Sequence, residues 1–388
     1  MKKTYEYIVL GLGGIGSGAV YWLARQAGKE VLGLEQFELD HVRGGSQDHS
    51  RIIRLSYHTP DYVELAKQTY PTWAELEADG EEELIVQAGG LDLFPEGGVI
   101  PLSHYADSMD ATGVPYEKLT AAETMQRWPQ FKLTDDVQVL YQEKSGIAPA
   151  AKCVAAHLRM AAAHGATLKP NSPVERITPV GDEIEVVAGG VAYRCRHLTI
   201  AAGAWTNRML AHFGRQINLT VTQEQVAYYG TPHAADFMPD RFPIWIWMDE
   251  PCYYGFPVYG EAGPKVSQDV GGKTVTPDTR SFDPDPAYQQ RLDHFVQQHI
   301  PQAYGPPLLV KTCLYTMPPD RDFVLSPLPD HPNVTVAVGA AHAFKFSSLM
   351  GRILSQLATA GTTPHNITPF DIARPILYET NPAVNYMT

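Results

Sequence analysis

Cysteine is scarce in this chain, and the few cysteines lie far apart. Four occur in 388 residues, at Cys153, Cys195, Cys252 and Cys313. Their spacing is typical of neither a disulfide framework nor a CxxC zinc site. The fourteen histidines include no HExxH pair. The sequence therefore argues against a disulfide-rich secreted module and predicts no metal centre.

Long basic runs and long apolar runs are also missing. The formal net charge is −13, and nucleic acids and acidic membranes are bound mainly through lysine and arginine, so we expect neither as a partner. No stretch approaches the roughly 18 apolar residues of a membrane helix. The opening "MKKTYEYIVLGLGGIGSG" has no small-residue cleavage site. These absences predict a soluble cytoplasmic protein.

The chain opens and closes with α/β patterns that flank β-rich material. A length of 388 residues is too great for one small core and favours two domains, or one large domain with an inserted one. Residues 5–35 read as strand, glycine turn, helix and strand, and residues 333–361 repeat the first three of these. Residues 217–268 are typical of an antiparallel sheet. We further predict helices at 60–78, 148–166 and 284–299, strands at 84–95, mixed helix and turn at 101–127, and a hairpin at 182–205.

The first turn carries a dinucleotide-binding fingerprint. Gly11, Gly13 and Gly16 form GxGxxG between a strand and a helix, where glycines allow a tight turn, approach of a pyrophosphate and close packing. Glu35 ends the next strand, where a carboxylate binds a ribose diol and repels the 2′-phosphate of NADP. A purely structural turn is the alternative. The motif alone does not separate FAD from NAD, but the later small-residue turns "AAGAW" and "VGAAHAF" favour FAD.

A short basic cluster follows this unit in "RGGSQDHSRIIRLSY", residues 43–57. Arg51 and Arg54 are three residues apart, which places them together on a helix but on opposite faces of a strand. Two arginines near a flavin would suit a carboxylate, which guanidinium binds bidentately. Surface salt bridging explains the segment equally well when it is taken alone.

Five motifs together resemble the monomeric sarcosine oxidase family, which includes N-methyltryptophan oxidase and L-pipecolate oxidase among the D-amino-acid-oxidase-type flavoproteins. They are "GLGGIG", "SRIIR", "YYGFP", "CLYT…DRDFVL" and "HAFKFSS", in family order over essentially the whole chain. The resemblance implies a monomer with FAD attached through its 8α-methyl group to Cys313. It implies hydride transfer from a small secondary amino acid to flavin N5, hydrolysis of the imine, and reoxidation by O2 to give H2O2.

The resemblance also implies roles for four basic residues. Lys265 would lie near flavin N5 and promote O2 reduction, since a buried cation stabilises developing superoxide charge. Arg54 and Lys345 would hold the substrate carboxylate, and Arg51 would pack near the flavin ring. From the residues alone, Lys265 fits an exposed loop and Lys345 fits a position facing water.

The same family pattern assigns His342 to the flavin edge and Tyr254 to the substrate pocket. Taken alone, His342 is better explained as a structural histidine, whereas Tyr254 could equally be a half-buried strand aromatic. Asp269 stands where sarcosine oxidases carry a histidine, so it could favour a cationic substrate group or change the local proton chemistry. Trp245 and Trp247 share a strand face that we expect to edge the pocket. These departures, with the shortened turn "GAAHAFKF", put sarcosine itself in doubt as the best substrate.

We therefore expect an α/β (α+β) fold with a Rossmann-like FAD-binding domain, residues 1–83, 146–215 and 320–388, and a discontinuous antiparallel-sheet substrate domain, residues 84–145 and 216–319. The expected FAD contacts are Gly11, Gly13, Gly14, Ile15, Gly16, Glu35, Gln36, Arg43, Ser46, Ser50, Arg51, Ile52, Val174, Ala202, Gly203, Trp205, Cys313, Gly339, Phe344 and Lys345.

Three other functions compete with an oxidase. A dehydrogenase could pass electrons from the flavin to a protein acceptor, but Lys265 argues against it. A flavin-dependent RNA-modifying protein would need a basic stripe that this acidic chain lacks. A non-catalytic FAD-binding module would not need Arg54, Lys265 and Lys345 together.

Overall fold

The computed structural model describes residues 2–385, so the extreme ends of the predicted segments 1–83 and 320–388 lie outside the described residues. The described strands are β1 Thr4–Leu10, β2 Val31–Leu34, β3 Arg51–Ile53, β4 Val86–Gln87, β5 Gly90–Phe94, β6 Glu117–Thr120, β7 Gln138–Gln142, β8 Gly146–Ala148, β9 Thr167–Lys169, β10 Val174–Val180, β11 Glu183–Ala188, β12 Val191–Ile200, β13 Thr220–Tyr229, β14 Ile244–Trp247, β15 Tyr253–Phe256, β16 Lys265–Gln268, β17 Lys273–Thr274, β18 Pro307–Met317, β19 Val324–Leu328 and β20 His331–Val338. The described α-helices are α1 Gly14–Ala27, α2 Pro60–Gly80, α3 Leu102–Thr112, α4 Ala121–Arg127, α5 Ala150–Ala163, α6 Thr206–Leu210, α7 Pro286–His299 and α8 Ser347–Ala360. No helix within residues 2–385 combines the length and the apolar character that a membrane crossing requires.

An eight-stranded sheet carries the first βαβ unit. Its centre is the parallel series β9-β2-β1-β12-β20, and the apolar end of β1 is buried, as is usual for a strand covered on both faces. Helix α1 leads from β1 to β2 and packs against α5 and α8. Strands β10 and β11 extend the sheet antiparallel, and β11 with β12 forms the expected hairpin. The Rossmann-like prediction is confirmed.

A nine-stranded sheet forms the other half of the fold. It is antiparallel except for the pair β5 and β14, and its two long strands, β13 and β18, are paired along their length. Helix α7 covers one face of this sheet. Asp285 caps α7 by accepting hydrogen bonds from the backbone N–H groups of Ala287 and Tyr288. The expected antiparallel sheet is thus present.

A small three-stranded sheet, β3-β8-β4, lies beside the two large sheets. It resolves the ambiguity of the basic cluster, because Arg51–Ile53 is a strand and Arg54 follows it. Arg51 therefore lies in a strand and Arg54 directly after it, and the two do not share a helix. The mixed region 101–127 divides into α3, β6 and α4, and the last helix begins with a Thr120–Glu123 capping box.

Candidate active site

One cavity of about 450 Å³ lies between the two large sheets. One wall follows the ends of the parallel strands β1, β2, β12 and β20, where doubly wound sheets bind their ligands. The opposite wall comes from β13, β14, β15 and β18. A single space thus joins the glycine turn to the side chains of the second sheet.

Close packing of the backbone already requires glycine at two positions of this turn, Gly11 and Gly16. Gly11 has a φ of +84°, and a Cβ there would lie 2.6 Å from the carbonyl oxygen of Ala201. A Cβ on Gly16 would lie 1.8 Å from the carbonyl oxygen of Gly11. The N–H of Gly14 donates to Ser46 Oγ at 2.8 Å. Gly13, Gly14 and Ile15 line the cavity at the N-terminus of α1, a position that suits a pyrophosphate.

Glu35 lies at the cavity wall directly after β2 and is only 4% exposed. Its carboxylate accepts hydrogen bonds from the N–H of Leu12 at 2.8 Å and the N–H of Phe37 at 3.1 Å. Although burial raises it, the hydrogen bonds from His41 and Leu12 lower the pKa of Glu35 overall. A fixed carboxylate therefore lines the cavity where a ribose diol was expected.

The cavity is lined by the expected FAD contacts, except for Gly16, Arg43 and Ser50. Gly16 lies behind the turn, and Ser50 lies next to Lys265. Arg43 is exposed, with its guanidinium 4.8 Å from the centre of the Phe37 ring. Arg43 therefore does not line the cavity, because the loop directs its side chain towards the half-buried Phe37, and its contact with FAD stays a prediction.

Arg51 and Cys313 lie close to one another at the side of the cavity formed by β3 and β18. Arg51 donates to the carbonyl oxygens of Ser50 at 2.8 Å, Gln47 at 2.7 Å and Gly45 at 3.0 Å, which fixes its guanidinium. Cys313 is 5% exposed and lines the cavity. Burial raises the pKa of Cys313 to about 11, although the positive charges of Arg51 and Lys265 act in the opposite direction.

Lys265 is buried in an ion pair rather than exposed on a loop. Its side chain is 1% exposed, and Nζ lies 2.7 Å from Asp48 Oδ2 and donates to the carbonyl oxygen of Ser50 at 2.9 Å. Burial lowers the pKa of Lys265 to about 8, although Asp48 opposes that shift. The pair is ionised at neutral pH, because Lys265 and Arg51 outweigh burial and hold the pKa of Asp48 well below its usual value. Lys265 does not itself line the cavity.

Asp48 is a residue that the sequence reasoning missed. It also accepts a hydrogen bond from the hydroxyl of Tyr228 at 2.8 Å and lies 3.4 Å from Lys311 Nζ. Its backbone has a φ of +106°, an uncommon conformation for a residue other than glycine. An acid inside an otherwise basic segment was the available signal, but nothing in the sequence identifies Lys265 as its partner.

Arg54 and Lys345 meet at the Tyr57 ring, as the expected carboxylate site requires. The guanidinium carbon of Arg54 and Nζ of Lys345 lie 4.9 Å and 5.6 Å from the ring centre. Arg54 is paired with Asp92 at 2.9 Å, and Ser56 donates a hydrogen bond to the same carboxylate. Lys345 donates to the carbonyl oxygen of His342 at 3.0 Å. Both basic residues are buried and line the cavity.

His342 and Tyr254 also line the cavity. His342 donates from Nε2 to the carbonyl oxygen of Arg321 at 2.9 Å, which leaves Nδ1 as the acceptor nitrogen. Burial lowers the pKa of His342 well below its usual value, so the ring is neutral. The hydroxyl of Tyr254 lies 3.3 Å from that of Tyr315, a cavity-lining residue that the sequence reasoning missed.

Asp269 lies at the cavity wall but is already paired. Its carboxylate accepts from Arg321 at 2.9 Å, and Arg321 is 3% exposed. The positive charge of Arg321 partly offsets that of the acid, which reduces the attraction of Asp269 for a cationic substrate group. Sequence reasoning did not identify this arginine, although it stands in the same "DRDF" motif that supported the resemblance.

The expectation that Trp245 and Trp247 edge the pocket is wrong. Both rings pack against Phe295 of α7, with ring centres 5.6 Å and 5.7 Å away. Because side chains alternate along a strand, the residue between them, Ile246, faces the cavity instead. The alternation in the sequence showed that the two tryptophans share one face of β14, but not whether that face is directed towards the cavity or towards α7.

The four cysteines are all free thiols. Cys252 also lines the cavity, close to Asp269, whose N–H donates to the Cys252 carbonyl oxygen at 2.8 Å. Within residues 2–385, no group of three or more His, Cys, Asp or Glu side chains is placed to hold a metal ion.

Comparisons with known proteins agree with this geometry. Residues 6–357 match the DAO family model, described as FAD dependent oxidoreductase. The monomeric sarcosine oxidase of Streptomyces avermitilis is 36% identical over 96% of this chain and 98% of its own length. The N-methyl-L-tryptophan oxidase of Citrobacter koseri is 27% identical over 95% of this chain and 99% of its own length. The solved structure of NikD, an unusual amino acid oxidase essential for nikkomycin biosynthesis, superposes with a TM-score of 0.84 at 27% identity, covering 95% of this chain and 98% of that one.

Proposed function

Because this chain belongs to the DAO family of FAD dependent oxidoreductases, we propose that its cavity binds FAD and a small secondary amino acid, with O2 as the electron acceptor. The chain is an FAD-dependent oxidase acting on the CH–NH group of N-methyl or other secondary amino acids. The net reaction gives an imine, which water hydrolyses, and H2O2.

The residues present fit FAD. Gly11 and Gly16 allow the tight turn, Gly13 and Gly14 bring the backbone at the start of α1 to the cavity wall, and Glu35 supplies a buried acceptor. Bound there, FAD would supply the two-electron redox chemistry. We propose that Arg51, which lies close to Cys313, would hold the flavin ring in place. Its guanidinium is already fixed by hydrogen bonds to backbone carbonyl oxygens.

The observation that carries the substrate proposal is the basic end of the cavity. Arg54 and Lys345 lie over one aromatic ring in a buried site, where a carboxylate is attracted strongly because water screens it little. Ile246 and Tyr254 provide apolar surface beside them. We propose that the carboxylate contacts both basic residues, which orients the CH–NH group towards the flavin.

A peroxide assay tests this function. We expect the FAD-loaded enzyme to form H2O2 with at least one of sarcosine, N-methyltryptophan, pipecolate and iminodiacetate. The matching primary amino acids serve as controls. Reduction of an artificial electron acceptor without H2O2 would instead favour the dehydrogenase, and no turnover of any secondary amino acid would contradict the proposal.

We also propose that the flavin is attached to Cys313, which lines the cavity and lies close to Arg51. Acid precipitation of the wild type should leave flavin in the pellet, whereas Cys313→Ala should release all of it to the supernatant, measured by absorbance. Cys252→Ala is the matched control, because that thiol lines the same cavity and should not change retention. Flavin released from acid-precipitated wild type would contradict a covalent link.

Three broader features complete the proposal. Lys265 would promote the reaction of the reduced enzyme with O2 through its buried charge. The predicted division into an FAD-binding and a substrate domain follows the two large sheets, although β4 pairs with β8 across the boundary at residue 146. A cytoplasmic monomer remains our expectation for the working state.

A further inference from the structure

We propose that Lys345 meets the substrate as a neutral amine and takes up the proton of the substrate ammonium group. The inference rests on the proposed function, and it assigns to one residue both carboxylate binding and activation of the amine. It is needed because a protonated secondary amine has no lone pair to support loss of hydride from the neighbouring carbon.

Lys345 differs from the other basic residues that line the cavity. Its side chain is 7% exposed and lines the cavity, and Nζ donates to the carbonyl oxygen of His342. No carboxylate within residues 2–385 forms an ion pair with it, whereas Arg54 is paired with Asp92 and Arg321 with Asp269, each at 2.9 Å. A buried ammonium without an anionic partner is costly, so this lysine favours the neutral form until an anion arrives.

The surroundings of Lys345 reinforce that preference. Charged and titratable groups from several segments of the chain surround it. They are Arg54, Tyr57, Asp92, Asp269, Arg321 and His342. Burial lowers the pKa of Lys345 well below its usual value, and Arg54 and Arg321 add to this more than Asp269 and Asp92 oppose it. Arginine cannot exchange the proton, because it stays charged in proteins.

His342 is the other candidate proton acceptor. Its Nδ1 is buried without a hydrogen-bond partner within residues 2–385. Nε2 is committed to the carbonyl oxygen of Arg321, and a protonated ring would add a positive charge beside Arg321 and Arg54. An alkylamine is intrinsically a far stronger base than imidazole. The structure therefore favours Lys345 as the acceptor and His342 as a neutral hydrogen-bond acceptor for the substrate N–H.

The proton step balances without any redox change. A zwitterionic substrate brings one ammonium proton and one carboxylate. The proton moves from the substrate nitrogen to Nζ of Lys345, which leaves a neutral amine beside a lysine ammonium paired with the carboxylate. One residue must therefore reach both groups, as it can in an α-amino acid, where the nitrogen and the carboxylate are attached to the same carbon.

The test uses carboxylate ligands that carry no ammonium group and so cannot donate a proton to Lys345. Methoxyacetate and tetrahydrofuran-2-carboxylate replace the substrate N–H by an ether oxygen, so the proton for Lys345 must come from solvent. We expect the FAD-loaded wild type to take up about one proton for each ligand bound, read with a pH indicator in weak buffer. By linkage, the Kd should rise with pH, by up to about tenfold per pH unit, in the range that lies above the pKa of Lys345 in the free enzyme and below its pKa in the complex.

Variants separate Lys345 from its neighbours. Lys345→Arg keeps a permanent charge, so binding should persist with no proton uptake and a Kd independent of pH. Lys345→Met should lose both uptake and most of the affinity, while His342→Asn should retain uptake. Uptake that survives in Lys345→Arg, or is missing in a wild type that binds the ligand, would overturn the inference while leaving the oxidase proposal intact. Failure of both ligands to bind would also overturn it, and only the peroxide assay bears on the oxidase itself.

Discussion

Replacing Lys265 by methionine should slow the reaction of the reduced enzyme with O2 by about 100- to 1000-fold, the loss typical of removing one preorganised charge. Lys265 is 1% exposed and ion-paired with Asp48, so its field is screened little by water. Reduction by the substrate should be much less affected, because Lys265 does not line the cavity. Stopped-flow absorbance separates the two half-reactions.

The pH dependence of the O2 rate is a second test of the role of Lys265. Burial lowers the pKa of Lys265 to about 8, so the ammonium is lost as the pH rises through that value. The O2 rate of the wild type should therefore fall above about pH 8, and that of Lys265→Met should stay flat. Lys311→Met is the matched control, because Lys311 contacts the same Asp48 but is 29% exposed and should change the rate by no more than about fivefold. An O2 rate unchanged in Lys265→Met would contradict the proposed role.

Gly16→Ala should destabilise the protein even without its cofactor. The new Cβ would lie 1.8 Å from the carbonyl oxygen of Gly11, and neither atom is on a flexible side chain, so β1 and α1 must separate. We expect a loss on the order of 3 kcal/mol or more in the free energy of unfolding, together with loss of bound FAD. Denaturant unfolding of the FAD-free and FAD-loaded forms measures both effects.

Gly13→Ala is the matched control in the same turn. A Cβ there would meet only the Ser46 side chain, at 3.1 Å, which can adjust. The FAD-free protein should keep nearly its full stability, while FAD binds more weakly because the methyl group points at the space that the glycine leaves open. Equal stability of the two FAD-free variants would show that Gly16 serves the cofactor alone.

Local patterns predicted much of the fold. The GxGxxG turn followed by Ala19, Val20, Leu23 and Ala24 at helical spacing determines a strand, a turn and a helix within one short segment, and the structure has all three. The hairpin around Gly189 and Gly190 is equally local. In such segments the residues that decide the structure are neighbours in the chain.

The paired charges of the site could not be predicted in this way. Asp48 with Lys265, and Asp269 with Arg321, join residues from different sheets and loops. A sequence shows the charges but not which of them share a buried space. The direction of the Trp245 face depends likewise on where α7 packs, which no pattern within β14 specifies.

The order of strands in the parallel sheet has a consequence for how the protein is made. Strand β1 lies between β2 and β12, β12 pairs with β20, and helix α1 packs against α8. After it has paired with β2, strand β1 thus waits for β12, which begins at Val191, and α1 waits for α8, which begins at Ser347. Such long-range contacts fold slowly and expose apolar surface meanwhile. The residues that line the cofactor cavity run as far as Lys345, so FAD can bind and stabilise the chain only after that residue has been synthesised.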